Sequence, residues 1–283
     1  MLLMRHLFGY GMMLENNDVG GRVVMTTSVT FLGTSDAQGV PRIACSCEVC
    51  EDSQQVRTRS SLLVMIDEET ILIDVSPDFR HQFLQYGDAK RLPTHVLITH
   101  AHNDHIAGLG DYSDLCYWQQ LSSTLYAPPE VIETLERRFP YIQPQRGTAM
   151  VGTRQLTIKD VSIAFHPVSH GHNGMANAIV FTHDTFKWAY MPDSFRLRDE
   201  QKKPLFGCDH LIIDTSYYHE THTPTAKRSV YDVQEAVELA KELSIQKVTF
   251  THLSHAVDRF RDGEYIPSHA QFAYDGKTIV MIP

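Results

Sequence analysis

Val96-Leu97-Ile98-Thr99-His100-Ala101-His102-Asn103-Asp104-His105 runs from an apolar, strand-like segment into a cluster of imidazoles and a carboxylate. Imidazole nitrogens and carboxylate oxygens are the donors that borderline divalent ions such as zinc accept. A strand end that opens into a tight loop can turn such side chains to one side. The stretch therefore reads as a strand delivering a metal site.

The same arrangement recurs outward from it. Ser28-Val29-Thr30-Phe31-Leu32 alternates as a first strand, and residues 61–66 and 70–74 flank a polar turn as a β-hairpin whose second arm ends in Asp74. Residues 162–168 lead to His170, with His172 beyond it as a solvent-facing loop residue. Residues 178–181 and 187–191 are further strands, the second reaching Asp193, and 211–213 ends in Asp214. Lys247-Val248-Thr249-Phe250-Thr251 delivers His252 and, beyond it, His255. Apolar runs that end in acids or histidines, at Asp74, His100, His170, Asp193 and His252, are how an α/β scaffold collects chemistry at one edge. Helices are expected over 77–87, where proline opens and glycine closes the pattern, and over 114–120 and 130–139. A further helix over 230–243 follows from Val233, Ala236, Val237, Ala240 and Leu243 at helical spacing.

Composition narrows the function. A chain of 283 residues, 42% hydrophobic and 21% charged, can bury the full core of one α/β domain. Its net charge of −9 argues against gripping nucleic acid through bulk electrostatics. A small anionic substrate would need local positive charge, which bound divalent ions supply. Cys45-Ser46-Cys47-Glu48-Val49-Cys50 crowds three thiols together, poor material for a disulfide framework but suited to zinc once a fourth ligand is found. Cys116 and Cys208 read as buried small apolar residues. This cysteine usage points to a reducing, cytoplasmic compartment. Residues 1–25, rich in Met and interrupted by Gly, carry no long apolar core for a signal peptide or membrane span; they read as a loose tail before one domain over 26–283, with Met25 as an alternative start.

With the His-x-His-x-Asp-His cluster and the single ligands at His170, Asp193 and His252 in place, the chain resembles the metallo-β-lactamase superfamily. Within it, Leu32-Gly33-Thr34, the cysteine cluster and Thr251-His252-Leu253-Ser254-His255 resemble the PhnP family of phosphodiesterases. The resemblance implies an α/β fold of the metallo-β-lactamase type, an αββα sandwich with its site at one edge of two sheets. It implies a dinuclear site of zinc or manganese in which His100, His102 and His170 hold one ion, Asp104, His105 and His252 the other, and Asp193 bridges them. It also supplies His255 as the fourth ligand of a structural zinc at Cys45, Cys47 and Cys50. Two such ions lower the pKa of a water and neutralise phosphate oxygens, so Asp104 and Asp193 are also catalytic carboxylates. Asp74 is the candidate for orienting a ligand imidazole from behind.

One position departs from the family. Val230 falls where that family carries a further histidine that serves the leaving group. His222, with His219 beside it, is the candidate substitute as proton donor. Tyr217 and Tyr218 wall the pocket or pack, and Arg59 and Arg80 read as surface ion-pair residues. The expected function is hydrolysis of a small, cyclic phosphodiester. Alternatives are a lactone or thioester hydrolase, an RNA-processing nuclease of the same fold, and a noncatalytic metabolite-binding protein. A small anionic molecule is the expected partner, neither nucleic acid nor membrane is, and a homodimer is left open.

Overall fold

The computed structural model describes residues 27–184 and 186–281; the expected N-terminal tail lies outside the described residues. β1 (Thr27–Gly33) pairs antiparallel with β2 (Ser61–Ile66), which turns through two residues into β3 (Glu69–Ile73), so that Ile66 faces Glu69. β4 (His95–Leu97), β5 (Ser123–Ala127) and β6 (Thr148–Gly152) then add in parallel. In the second sheet β7 (Gln155–Ile158), β8 (Val161–Ser169), β9 (Met175–His183) and β10 (Phe186–Met191) pair antiparallel in succession. Onto β10 the strands β11 (His210–Asp214), β12 (Lys247–Thr251) and β13 (Ala270–Phe272) add in parallel. The last strand, β14 (Thr278–Met281), returns to the first sheet beside β1.

The layering follows from where apolar side chains go. Val29, Phe31, Val64 and Ile71 from one sheet meet Phe165, Phe181, Trp188 and Ile212 from the other, with the Phe181 and Trp188 rings stacked 4.0 Å apart. The outer face of the first sheet is covered by helices Phe79–Tyr86, Leu109–Trp118 and Pro129–Arg138, and that of the second by helix Val233–Glu242. Two seven-stranded mixed sheets between helical layers form the expected αββα sandwich. Strands buried on both faces carry near-continuous apolar runs, which is why residues 62–64 and 71–73 are legible as strands.

Element limits differ from the sequence expectation where small residues or caps decide them. The helix expected over 114–120 begins at Leu109, because Gly108 and Gly110 serve close packing rather than breaking the helix. The helix expected from 230 begins at Val233, where Asp232 accepts from the Glu235 amide and the Glu235 side chain accepts from the Asp232 amide. β5, β6, β7, β13 and β14 were not anticipated; they are short, and four of them are edge strands, with β5 beside the edge strand β6. No helix among the described residues is long and apolar enough to cross a membrane.

Candidate metal centre

Asp74, His100, His170, Asp193, Asp214 and His252 sit at or just beyond the C-terminal ends of β3, β4, β8, β10, β11 and β12, so both sheets feed one edge. His102 caps the short helix Asn103–Ile106, which carries Asp104 and His105. The chain turns sharply where these side chains leave the strands: Asp74 and His252 both have φ of +58°, a left-handed conformation costly for residues other than glycine. Such strain persists where surrounding contacts over-determine it, commonly at functional sites.

Two donor groups result. His100, His102, His170 and Asp193 form one, Asp104, His105, Asp193 and His252 the other, each with its donor atoms within 4.8 Å of one another. Asp193 belongs to both: its Oδ2 lies 3.3 Å from His170 Nε2 and 3.6 Å from His100 Nε2, and its Oδ1 lies 3.4 Å from His252 Nε2. Asp104 Oδ2 is 3.3 Å from His105 Nε2 and 3.4 Å from His252 Nε2. This is the division that the resemblance implies.

Surrounding groups fix which nitrogen faces inward. His105 Nδ1–H donates to Asp74 Oδ2 at 2.7 Å. Thr99 donates to the same carboxylate through both its amide and its hydroxyl, and the hydroxyl oxygen takes His100 Nδ1–H at 2.9 Å. His170 Nδ1–H donates to the Ser229 carbonyl at 2.8 Å. The outer nitrogens thus hold the protons, and the inner ones are left as acceptors. His105 Nε2, His170 Nε2 and Asp193 Oδ1 are buried with no hydrogen-bond partner. Orphaned groups of this kind cost about 1–3 kcal/mol each, and a cation in each donor group would satisfy them. The donor set fits a pair of divalent ions.

Electrostatics agree with that fit. Burial, reinforced by neighbouring His105, pushes His100 down to about 4, and burial also lowers His102, so both imidazoles are neutral and free to ligate. Burial opposes charge on Asp104, yet His105 and His252 beside it hold its carboxyl far below the usual range; Asp193 is lowered in the same way. Burial likewise opposes a proton on His252 and His105, but Asp193, Asp104 and Asp214 lift His252 to about 10, and Asp104 and Asp74 raise His105; the carboxylates draw positive charge here, which a bound cation would supply in place of those protons. Asp214, buried behind the centre, is raised to about 7 and accepts the Asp193 amide at 3.1 Å. Asp214 was visible as a strand-end acid, but nothing in the sequence connects it to Asp193.

A second cluster lies on the loop after β1. Sγ of Cys45, Cys47 and Cys50 stand 3.2, 3.5 and 3.6 Å from His255 Nδ1. Three thiols and one imidazole converging this way suit a closed tetrahedral ion. Buried Arg57 ties the same loop to the end of β12, donating to the Ser254 and Val257 carbonyls at 3.0 and 3.1 Å.

Above the shared carboxylate opens a cavity of about 280 Å³. One wall carries Asp36, Gln38 and Arg42, the other Tyr217, Glu220, Lys227 and Val230. Val230 therefore does face the site, but the expected substitutes do not. His222 is exposed and absent from the lining, and His219, 53% exposed, is drawn to Asp232 at 3.2 Å on the side of a different groove. The Asp232 carboxylate, fixed by its helix cap, holds that ring away from the cavity. His172 is exposed, Cys116 and Cys208 are buried, and Arg59 pairs with Asp78, as the sequence suggested. Tyr217 lines the cavity, whereas Tyr218 packs against the second sheet's helix layer. Arg42 and Lys227 are cavity residues that sequence reasoning passed over, since isolated basic residues in loops carry no pattern.

Residues 69–253 match the family model for the beta-lactamase superfamily domain. Among curated proteins, an octanoyltransferase of Porphyromonas gingivalis is 29% identical over 263 residues, 87% of this chain. The chain spans about half the length of that relative. Among solved structures, a diphosphatase from the PhnP family is similar with a TM-score of 0.80 and 27% identity, over 92% of this chain and 100% of that one. Zn(2+)-bound PqqB from Methylobacterium extorquens follows at 0.73 and 21%, over 89% and 99% of the two chains. The short form of human tRNase Z gives 0.68 and 16%, over 90% and 100%; at these identities the last two speak to the fold alone.

Proposed function

The chain belongs to the beta-lactamase superfamily, and from that membership we propose that it is a dinuclear-metal hydrolase that cleaves a small, compact phosphodiester. The observation that carries this reading is the pair of donor groups sharing Asp193 at the floor of a small, polar, cation-bearing cavity. Two divalent ions, zinc or manganese, would supply an activated water and offset charge building on phosphate oxygens. His100, His102 and His170 would hold one, Asp104, His105 and His252 the other, with Asp193 between them; a structural zinc would sit at Cys45, Cys47, Cys50 and His255. Likeness to the PhnP-family diphosphatase supports a phosphate-centred substrate. A cytoplasmic location fits five cysteines free of disulfides.

The octanoyltransferase relative favours a second reading, hydrolysis of a thioester. Against it, the cavity walls named above are, Val230 apart, polar or charged, with no apolar channel among them for an acyl chain. A single assay set separates the two. Protein with its metal content measured is given bis-p-nitrophenyl phosphate, 2′,3′-cyclic nucleotides, a lactone and an octanoyl thioester. Three metals per chain with phosphodiester turnover that Asp193→Asn abolishes is the expected result. Full metal loading with thioester turnover and none on phosphodiesters would overturn it.

A further inference from the structure

Lys227, Arg228 and Arg42 are cations bordering the cavity, and their situations differ. Arg228 is consumed by acids: it donates to Glu220 at 3.0 Å and to Glu235 at 2.8 Å, lies 3.5 Å from Asp232, and packs 4.7 Å over the Phe195 ring. Lys227 is exposed and has no carboxylate partner among the described residues, but nothing fixes where its ammonium stands. Arg42 is held. A single contact at 3.2 Å joins its Nη2 to Asp36, and that carboxylate also accepts from the Gln38 amide and the Ser35 hydroxyl. Its Nε is buried without an acceptor. An arginine presents several donors in a planar fork, so one shared carboxylate leaves donors to spare for an anion in the cavity.

What holds Arg42 is the cysteine cluster. Its amide donates to Cys50 Sγ at 3.3 Å, and its carbonyl accepts the Cys45 amide at 3.2 Å. Both backbone groups of the residue are thus tied to two of the three cysteines that converge on His255, one through its thiol and the other through its main-chain amide. An ion closing that cluster would fix the thiols, and through them the backbone from which the guanidinium reaches the cavity.

We propose that Arg42 binds the anionic part of the substrate outside the dinuclear centre, and that the Cys45, Cys47, Cys50 and His255 cluster sets substrate affinity by holding Arg42 in place. The proposal rests on the phosphate reading above for its choice of anion. It assigns the cluster a role in substrate binding in addition to stabilising the fold. Arg42 is a substrate-binding residue, and Cys50 is a positioning residue acting through it.

The test uses the full chain with both sites loaded, inorganic phosphate as a calorimetric probe and bis-p-nitrophenyl phosphate as substrate. Losing one charge-assisted contact raises the phosphate Kd and the KM of Arg42→Ala by about tenfold or more, with kcat within about threefold. Arg42→Lys recovers part of the loss. Cys50→Ser, with the dinuclear metal content verified, raises the same two constants, and adding Arg42→Ala to it raises them no further, because both changes remove one interaction. Unchanged Kd and KM in Arg42→Ala overturn the proposal, and so does a double variant whose losses multiply. Should Cys50→Ser fail to fold, the alanine and lysine variants decide the binding role, and titrating metal out of the Cys3His cluster of the wild type while following phosphate Kd decides the coupling. Phosphate binding that depends on Arg42 in a protein that hydrolyses no phosphodiester would refute the proposed reaction and leave the Arg42 assignment standing.

Discussion

Asp74 lies outside the cavity yet governs it. One carboxylate takes His105 Nδ1–H and both donors of Thr99, and Thr99 in turn orients His100, so a single buried acid aims a nitrogen into each donor group. Asp74→Asn preserves the size and the left-handed backbone that asparagine tolerates, but removes the charge. Metal affinity at the dinuclear centre should fall by about 10–100-fold, read by competition with a chromophoric chelator. An unchanged affinity would show that His105 needs no anchoring. An acid-sensitive position lies elsewhere. Burial, with Lys247 and Lys277 nearby, holds His210 down to about 4, below its usual 6.5. Between those values the unfolded chain takes up a proton that the folded chain refuses, so stability declines as the pH falls through that window. His210→Gln keeps a partner for Thr249 and removes the titration; between pH 7 and 5 it should lose about 1–2 kcal/mol less stability than wild type in urea titrations. Asp74 was legible as a strand-end acid poised behind a ligand. His222 was singled out by nearness along the chain, which says nothing of the exposed position it takes or of the Asp232 carboxylate that draws His219 away from the cavity.

Helix Leu109–Trp118 shows how a glycine can mislead. A Cβ on Gly108 would run into the Ser76 carbonyl oxygen and approach Phe79 Cβ, so the helix packs against the loop after β3 only because that atom is missing. Gly108→Ala should cost about 1–3 kcal/mol through overpacking, seen as a lower urea midpoint with unchanged slope. A neutral result would mean that the helix shifts freely on the sheet. From sequence, Gly108 and Gly110 look like breakers, and the apolar rhythm resumes only later, which delays the expected start. The same limit applies to strands. β2, β3, β10 and β12 announce themselves through apolar runs, whereas β5, Ser-Thr-Leu-Tyr-Ala, alternates correctly but is too polar to stand out. β13 and β14 owe their existence to the neighbours they pair with, a tertiary contribution that no local pattern carries. Helix Val233–Glu242 was found by its apolar spacing, and its start could have been found too, since Asp232 and Glu235 spell a capping box.

The two sheets repeat one order of pairing, antiparallel then parallel, and the donor groups draw on both: His100, His102, Asp104 and His105 follow β4 of the first, while His170, Asp193 and His252 end strands of the second. An ion bound between them therefore joins the two sheets in addition to their apolar contact and to hydrogen bonds such as Asn177 to the Thr99 carbonyl, and its binding energy becomes folding energy. The Cys45, Cys47, Cys50 and His255 cluster makes a further, separate closure, joining the loop after β1 to the end of β12. These two contributions should be separable. With metal about a thousandfold above Kd, ligand linkage amounts to about 4 kcal/mol, and for a domain of this size each kcal/mol moves Tm by about 2–4 °C. Complete chelation should then lower Tm by about 10 °C or more in calorimetry. His255→Ala should lose one metal per chain and only part of that shift, with the pair around Asp193 still loaded. If chelation left Tm unmoved, the ions would not couple the sheets; if His255→Ala emptied every site, the two closures would be a single cooperative unit.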